Sequence, residues 1–195
     1  MAIQNNYNID KSNFIHFRNV KKKQSEIKFH IGNDDLSYTS SYKYLGIILD
    51  EHLRFDKAIE ELACSANRAL GAVISKYKSN RNMSFEVYKK LFNTCVEPIL
   101  TYCAPIWQQA DCSKLDQVQC KAIRVFLGLH RFAPILGIIG DSGWDDLSIQ
   151  RNIECFRFWN RLIAMNDERI TKKIFLYDYK FSSTNGCWSN KLLKA

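Results

Sequence analysis

The sequence predicts a mainly α protein with a small N-terminal antiparallel β section, an α+β chain whose helices pack as a bundle. Two observations predict this class. Residues 12–49 contain short runs of β-branched and aromatic residues separated by polar turns, which is the pattern of strands. From Phe55 onward the apolar residues recur every three or four positions, which is the period of an α-helix. The sequence therefore predicts a β segment over 1–53 and helices after it.

The β segment is predicted as three strands joined by two turns. Alternating residues indicate a half-buried strand at 12–18, and 27–31 and 42–49 indicate a second and a third. A charged run and a Gly-Asn-Asp-Asp sequence provide the turns. Gly46 interrupts the third predicted strand. A glycine in a strand marks either a bulge or a place where another backbone or a ligand approaches closely.

The first and most regular helix is predicted from about Phe55 to Tyr77. Its apolar residues share one side over about six turns. They are Phe55, Ile59, Leu62, Ala66, Leu70, Val73 and Tyr77. Ser84 is expected to cap the second helix, and Pro98 is expected to kink it or end its regular part.

Two further helices are predicted after the second. Ser113 is expected to begin the third helix in a capping-box-like arrangement, and Gly128 to end it. Residues 133–146 are predicted to form a glycine-rich loop. A fourth helix is predicted from about Ser148 to Met165. Its apolar side is expected to carry Ile149, Ile153, Phe156, Asn160 and Ile163.

The composition narrows the classes of partner. Twenty-eight Lys and Arg against 20 Asp and Glu give a formal charge of +8, which favours a polyanionic partner such as nucleic acid or an acidic membrane face. No apolar run reaches the ~18 residues of a membrane span, and the first residues do not resemble a secretory signal. Seven cysteines form no C-x-x-C pair. We expect an intracellular protein, in the nucleus or cytoplasm, without a membrane partner.

The sequence contains no complete active site. Two adjacent aspartate pairs, Asp34-Asp35 and Asp145-Asp146, could bind a metal in principle. The first follows Gly-Asn in a turn, and the second precedes a helix, where acidic residues suit the positive end of the dipole. We therefore interpret both pairs as structural and predict no metal site.

Six segments, in order, resemble the downstream part of the reverse transcriptase of non-LTR (LINE-type) retrotransposons, including the tail that follows it in many elements. The resemblance covers roughly residues 5–178 and depends on the order and spacing of the segments rather than on one motif. The segments are NIDKSNFIHF, YKYLGIILDEHLRFDKAIEELACSANRALGAV, YKKLFNTCVEPILTYCAPIW, LDQVQCKAIRVFLGL, GDSGW and RFWNRLIAMNDERITKKIF.

The resemblance implies a role for two short motifs. Asn8, Lys11 and Ser12 match the N-x-x-K-[ST] motif near the end of the polymerase palm, so Lys11 is a possible accessory general acid. Tyr44-Leu45-Gly46 matches the aromatic-Leu-Gly motif of the primer grip, a hairpin that holds the 3′ end of the growing strand. Gly46 would then allow the primer to approach. The bulge remains the other interpretation.

The resemblance also implies that the helices form a thumb-like bundle against the template–primer duplex. Its cations would contact phosphates without reading sequence; the alternative, favoured for any single lysine, is an ordinary solvated face. The nucleic-acid-binding candidates on the helices are Arg68, Lys76, Lys78, Arg81, Lys89 and Lys90.

The predicted organisation is therefore the end of the palm over 1–53, a thumb over 54–130, a helical extension over 131–180 and a disordered tail over 181–195. In the resembling family the catalytic aspartates and the fingers lie upstream, so we expect no polymerase activity from this polypeptide alone and Mg²⁺ only in a full-length polymerase. The expected partner is an RNA/DNA template–primer. The alternatives are a small helical protein-interaction module and a non-functional retrotransposon remnant.

Overall fold

A computed structural model describes residues 12–80, 82–180, 188 and 189. These residues divide into two compact units, which we call unit 1 (up to Ala58) and unit 2 (from Ile59 onward). The described chain is mainly α, and its short strands all belong to the N-terminal unit. The predicted fold class is confirmed.

Unit 1 contains short strands that pair two by two. They are β1 (Asn13–Phe14), β2 (His30–Ile31), β3 (Asp34–Asp35), β4 (Ser37–Tyr38), β5 (Ser41–Tyr44) and β6 (Ile47–Asp50). The β2–β3 and β5–β6 pairs are antiparallel, as predicted, whereas β1 and β4 pair in parallel. The parallel pair is possible because residues 15–36 provide the long connection that parallel strands need.

The third predicted strand is a hairpin. Strands β5 and β6 replace the single strand predicted over 42–49, and Tyr44 faces Ile47 at the closed end. Leu45 and Gly46 form the turn with φ angles of 46° and 87°. Positive φ at both central residues is the signature of a type I′ turn. The prediction failed here because Leu45 is not a residue type that signals such a turn, and the bulge interpretation of Gly46 is wrong.

A polar cluster fixes the end of β6 within unit 1. The Glu51 carboxylate accepts hydrogen bonds from the Tyr38 hydroxyl and from Arg18 Nη2, the latter at 2.9 Å. The Nδ1 atom of His52 lies 2.9 Å from the Arg18 carbonyl oxygen. The Tyr38 hydrogen bond, with the charge of Arg18, lowers the pKa of Glu51. These contacts tie the segment after β1 to the end of the hairpin.

The helices begin at the end of unit 1 and make up unit 2. They are α1 (Asp56–Ser79), α2 (Phe85–Cys95), α3 (Glu97–Leu100), α4 (Ala104–Trp107), α5 (Ser113–Leu127), α6 (Ile135–Ser142), α7 (Leu147–Ile163) and α8 (Ile170–Lys180).

The predicted stripe of α1 is the side that packs into the core. Ile59, Leu62, Ala66, Leu70 and Val73 are each at most 6% exposed. The α2 residues Tyr88 and Phe92 and the α5 residues Leu115, Val118, Ala122 and Ile123 are also buried. Because burial of each large apolar side chain contributes roughly 1.5–3 kcal/mol, these side chains are a large part of the core that stabilises unit 2.

Helices α1 and α5 run parallel. Lys114 Nζ lies 2.9 Å from Glu60 Oε1, and Lys121 Nζ lies 3.2 Å from Asn67 Oδ1. Both partners advance by seven residues, or two turns, from one contact to the next. Two matching steps in the same direction require helices whose chains run the same way.

Most predicted helix ends are confirmed. The Ser84 side chain accepts from the Val87 amide at the start of α2, and Pro98 follows the end of α2 in the first turn of α3. Gly128 ends α5 with a φ of 64°. Ser113 begins α5, as predicted, but the capping-box-like arrangement is wrong, because Cys112 occupies the cap position and the Ser113 amide donates to Asp111 Oδ1 at 2.9 Å.

The predicted loop at 133–146 contains helix α6, so that prediction is wrong. Pro134 precedes the helix and Gly143, with a φ of 58°, ends it. Gly137 and Gly140 lower the intrinsic helix propensity. Burial of Ile138, which is 3% exposed, against the rest of unit 2 compensates for that cost.

The predicted apolar side of α7 is not the buried side. Ile149, Phe156 and Ile163 are 53%, 53% and 52% exposed. The buried side instead carries Leu147, Arg151, Cys155 and Leu162. The buried arginine interrupts the apolar pattern on that side and explains the error.

Two residues of the predicted tail are packed. Trp188 Nε1 donates to the Pro105 carbonyl oxygen at 2.7 Å, and the Trp188 ring stacks on Trp159 with centroids 5.8 Å apart. Ser189 is buried, and its amide donates to Asp178 Oδ2 at 3.0 Å. The other residues of 181–195 lie outside the described residues.

Candidate nucleic-acid interface

The tip of the β5–β6 hairpin is the first candidate surface. Tyr44 and Leu45 are 59% and 74% exposed, and Gly46 lies beside them in the turn. A left-handed φ costs an L-residue such as Leu45 roughly 1–2 kcal/mol, and Asn-Gly is the preferred sequence for this turn. A strained, exposed leucine therefore sits where a more stable polar residue would fit. Strain of this kind is concentrated at functional sites.

The second candidate surface is the C-terminal half of α1, in unit 2. The sequence between Glu61 and Glu86 contains no Asp or Glu. Arg68, Lys76 and Lys78 lie in this stretch and are exposed. Arg68 Nη2 donates to a neutral group, Ser65 Oγ, at 2.9 Å. The charge of this half of the helix is therefore not compensated by acidic neighbours in the chain.

Helix α2 adds its lysines at the same end of unit 2. The rings of Tyr77 and Tyr88 contact each other with centroids 5.2 Å apart. Lys76 and Lys78 flank the first tyrosine, and Lys89 and Lys90 follow the second. The tyrosine contact therefore brings the backbones of these two basic segments near each other.

Lys89 differs from the other candidate lysines because its side chain makes contacts within unit 2. Its Nζ donates to the Gly143 carbonyl oxygen at 3.2 Å and lies 5.9 Å from the centroid of the Trp144 ring. These contacts fix the end of α6 against α2. Lys90 is exposed, which leaves its ammonium in solvent. We call Arg68, Lys76, Lys78 and Lys90 the basic patch.

Two candidates lie outside the described residues. These are Lys11, the possible accessory acid, and Arg81, a predicted phosphate contact. Among the described residues, no three His, Cys, Asp or Glu side chains lie close enough together to hold a metal ion. Within the same ranges, no helix combines the length and hydropathy needed to cross a bilayer.

Sequence reasoning missed a cavity of about 460 Å³ in unit 2. It lies between the segment around α4 and one side of α7. Its lining residues are Thr101, Tyr102, Cys103, Pro105, Ile106, Glu154, Arg157, Phe158 and Arg161. The signal available in the sequence was the pair of arginines four residues apart, which places both guanidinium groups on one side of a helix.

Comparisons with protein-family models, with curated proteins and with solved structures found no match. The retrotransposon relationship therefore remains a prediction drawn from the segments quoted above.

Proposed function

We propose that this chain is part of a non-LTR retrotransposon reverse transcriptase and binds an RNA–DNA template–primer duplex through phosphate contacts. The binding surface in unit 2 is the basic patch. In unit 1, the Tyr44-Leu45-Gly46 turn is the part that approaches the 3′ end of the primer. Binding of this kind positions a duplex and has little sequence preference.

The observation that carries the proposal is that, within the described part of the chain, no ion pair joins a cation of the patch to an acidic residue. Two other lysines of unit 2 are in ion pairs: Lys114 lies 2.9 Å from Glu60 and Lys173 lies 3.5 Å from Glu168. Lys76, Lys78 and Lys90 form no such ion pair with the described residues. Exposed cations without acidic partners remain available to neutralise phosphates and release their counterions.

Anisotropy of a labelled RNA–DNA hybrid, measured over a range of salt concentrations, tests the proposal. The Lys76→Gln/Lys78→Gln variant should reduce the slope of log K against log salt by about 2. The control is Lys173→Gln/Lys180→Gln on α8, which removes the same charge and should reduce the slope much less. Equal slopes for the two double variants would contradict a localised duplex site.

The control also separates binding from helix stability. Lysines near the C-terminus of α1 interact favourably with the helix dipole, so their loss lowers stability by about 0.3–1 kcal/mol each at most. Thermal unfolding of each variant measures that effect. A changed salt slope in a variant that is fully folded at the assay temperature can come only from the bound state.

A second candidate function, a helical protein-interaction module, is favoured by one observation. Ile149, Phe156 and Ile163 are spaced by seven residues on α7 and are each about half exposed. An exposed apolar stripe of this kind is typical of a helix-binding surface. Phe156→Lys should abolish association with such a partner and leave hybrid binding intact. If this variant also lost hybrid binding, the exposed side of α7 would not be a separate protein-binding module, and the basic patch would not be the whole duplex-binding surface.

A further inference from the structure

We propose that the cavity beside α7 binds a nucleoside monophosphate, either free or as the terminal nucleotide of a strand. We call it the α7 cavity. Its volume of about 460 Å³ lies within the roughly 300–1,000 Å³ of small-molecule sites. All of its lining residues belong to unit 2, and none belongs to the basic patch.

The arginines at the cavity specify an anion. Arg157 and Arg161 are one turn apart on α7, and both line the cavity. Arg157 Nη1 is paired with Glu154 Oε1 at 2.6 Å, whereas Arg161 forms no ion pair with the described residues. The lining therefore carries a net charge of one positive unit, and a guanidinium fork matches the geometry of a phosphate.

The remaining walls specify a planar apolar group joined to that anion. Tyr102 and Phe158 provide aromatic surfaces, and Pro105 and Ile106 provide aliphatic ones. A base of any type can stack on an aromatic side chain, and each stack contributes roughly 1–3 kcal/mol. The Glu154 carboxylate offers an acceptor for a ribose hydroxyl or an exocyclic amine. A ligand that combines a phosphate, a planar ring and a hydrogen-bond donor is a nucleotide.

Trp188 contacts two of the residues that line the cavity, so part of the cavity wall is held in place without a ligand. Trp188 donates to the Pro105 carbonyl oxygen at 2.7 Å and packs edge-on against Phe158 with centroids 5.8 Å apart. Pro105 and Phe158 both line the cavity. A pre-formed site loses less entropy on binding than one that must be ordered by its ligand.

Cys103 supplies a direct readout, because it lines the cavity while Cys64 and Cys95 are exposed elsewhere. Adenosine 5′-monophosphate should slow the alkylation of Cys103 without affecting that of Cys64 or Cys95. Mass spectrometry measures the rate of alkylation at each cysteine. Inorganic phosphate, adenosine and benzoate should protect at least about tenfold less at equal concentration, since each lacks part of the recognised group. Equal protection by benzoate would overturn the nucleotide assignment.

Variants identify the anion contact and the source of the nucleotide. Arg161→Gln should raise the concentration of adenosine monophosphate needed for protection about tenfold, and Arg169→Gln, an exposed change beyond α7, should not change it. Protection by a single-stranded oligonucleotide that requires its 5′-phosphate would identify a strand end as the source. Protection by the mononucleotide alone would identify a free nucleotide. Absence of protection by both would refute the proposal.

This inference is independent of duplex binding by the basic patch. The Lys76→Gln/Lys78→Gln variant should retain full protection of Cys103 by adenosine monophosphate. Loss of hybrid binding with protection intact would refute the proposed function alone. Hybrid binding without any protection of Cys103 would refute the nucleotide site alone.

Discussion

The Arg151 guanidinium is buried, and its Nη2 donates to the Asp116 carboxylate at 2.7 Å. Its Nε donates to Gln108 Oε1 at 2.8 Å, so one side chain joins α7 to α5 and to the residue that follows α4. Asp116 is 42% exposed on its side chain, whereas that of Arg151 is 1% exposed. Arg151 therefore needs Asp116 to compensate its buried charge, whereas solvent can reach the Asp116 carboxylate.

Removal of the carboxylate should cost more than removal of the guanidinium. Asp116→Ala leaves a buried positive charge without its ion pair and should lower the free energy of unfolding by about 2 kcal/mol. Arg151→Met leaves a carboxylate that solvent can reach and should cost about 1 kcal/mol. Urea denaturation measures both. The reverse order would show that packing of the arginine, rather than charge pairing, dominates.

The hairpin turn should become more stable when its strained leucine is replaced. Leu45→Asn removes a left-handed leucine from a type I′ turn and should stabilise the hairpin by about 1 kcal/mol. Amide hydrogen exchange in β5 and β6 measures this gain. If the tip contacts the primer, the same variant should bind the RNA–DNA hybrid more weakly.

Leu53 provides the matched control for this prediction. It also has a positive φ, 52°, and is 53% exposed, but it lies beyond the hairpin. Leu53→Asn should relieve similar strain and leave hybrid affinity unchanged. Equal affinities for the two variants would argue against a role of the hairpin tip in binding.

The neighbouring lysines of α2 should respond in opposite ways to neutralisation. Lys89→Gln removes the contact with the Gly143 carbonyl and with the Trp144 ring, so it should lower the free energy of unfolding by about 1 kcal/mol. Its salt slope in hybrid binding should stay near that of the unmodified chain. Lys90→Gln should reduce the slope by about 0.9 and leave stability unchanged within about 0.5 kcal/mol. Similar behaviour of both variants would contradict the distinction between them.

The elements that the sequence predicts well are those in which burial and periodicity agree. The α1 stripe is such a case, because five of its seven apolar residues, Ile59, Leu62, Ala66, Leu70 and Val73, are core residues. Predictions failed where tertiary contacts override a local signal. Leu45 gives no turn signal, the glycines of α6 argue against a helix, and Arg151 places a charge on the buried side of α7.

The candidate site also contains parts that the sequence predicts and parts that depend on tertiary contacts. The basic residues of α1 could be found from the sequence because charge is a property of the chain itself. The engagement of Lys89 could not, because its partner Gly143 is 54 residues away in the chain. The α7 cavity requires two distant segments to pack together, and that relation has no local signature.

Tyr88 should make unit 2 sensitive to alkaline pH. Its hydroxyl donates to the Ala122 carbonyl oxygen at 3.0 Å, and burial raises its pKa from 10.0 to about 12. Because the folded pKa lies above the unfolded one, the contribution is fully present below pH 10 and is lost as the pH rises toward 12. The free energy of unfolding should therefore fall across that interval, and the fall should be smaller in Tyr88→Phe.

Phe92→Leu, which lowers stability at another buried site without removing an ionisable group, should keep the full pH dependence. Urea denaturation between pH 9 and pH 12 compares the three proteins, and an unchanged pH dependence in Tyr88→Phe would rule out this tyrosine as its source.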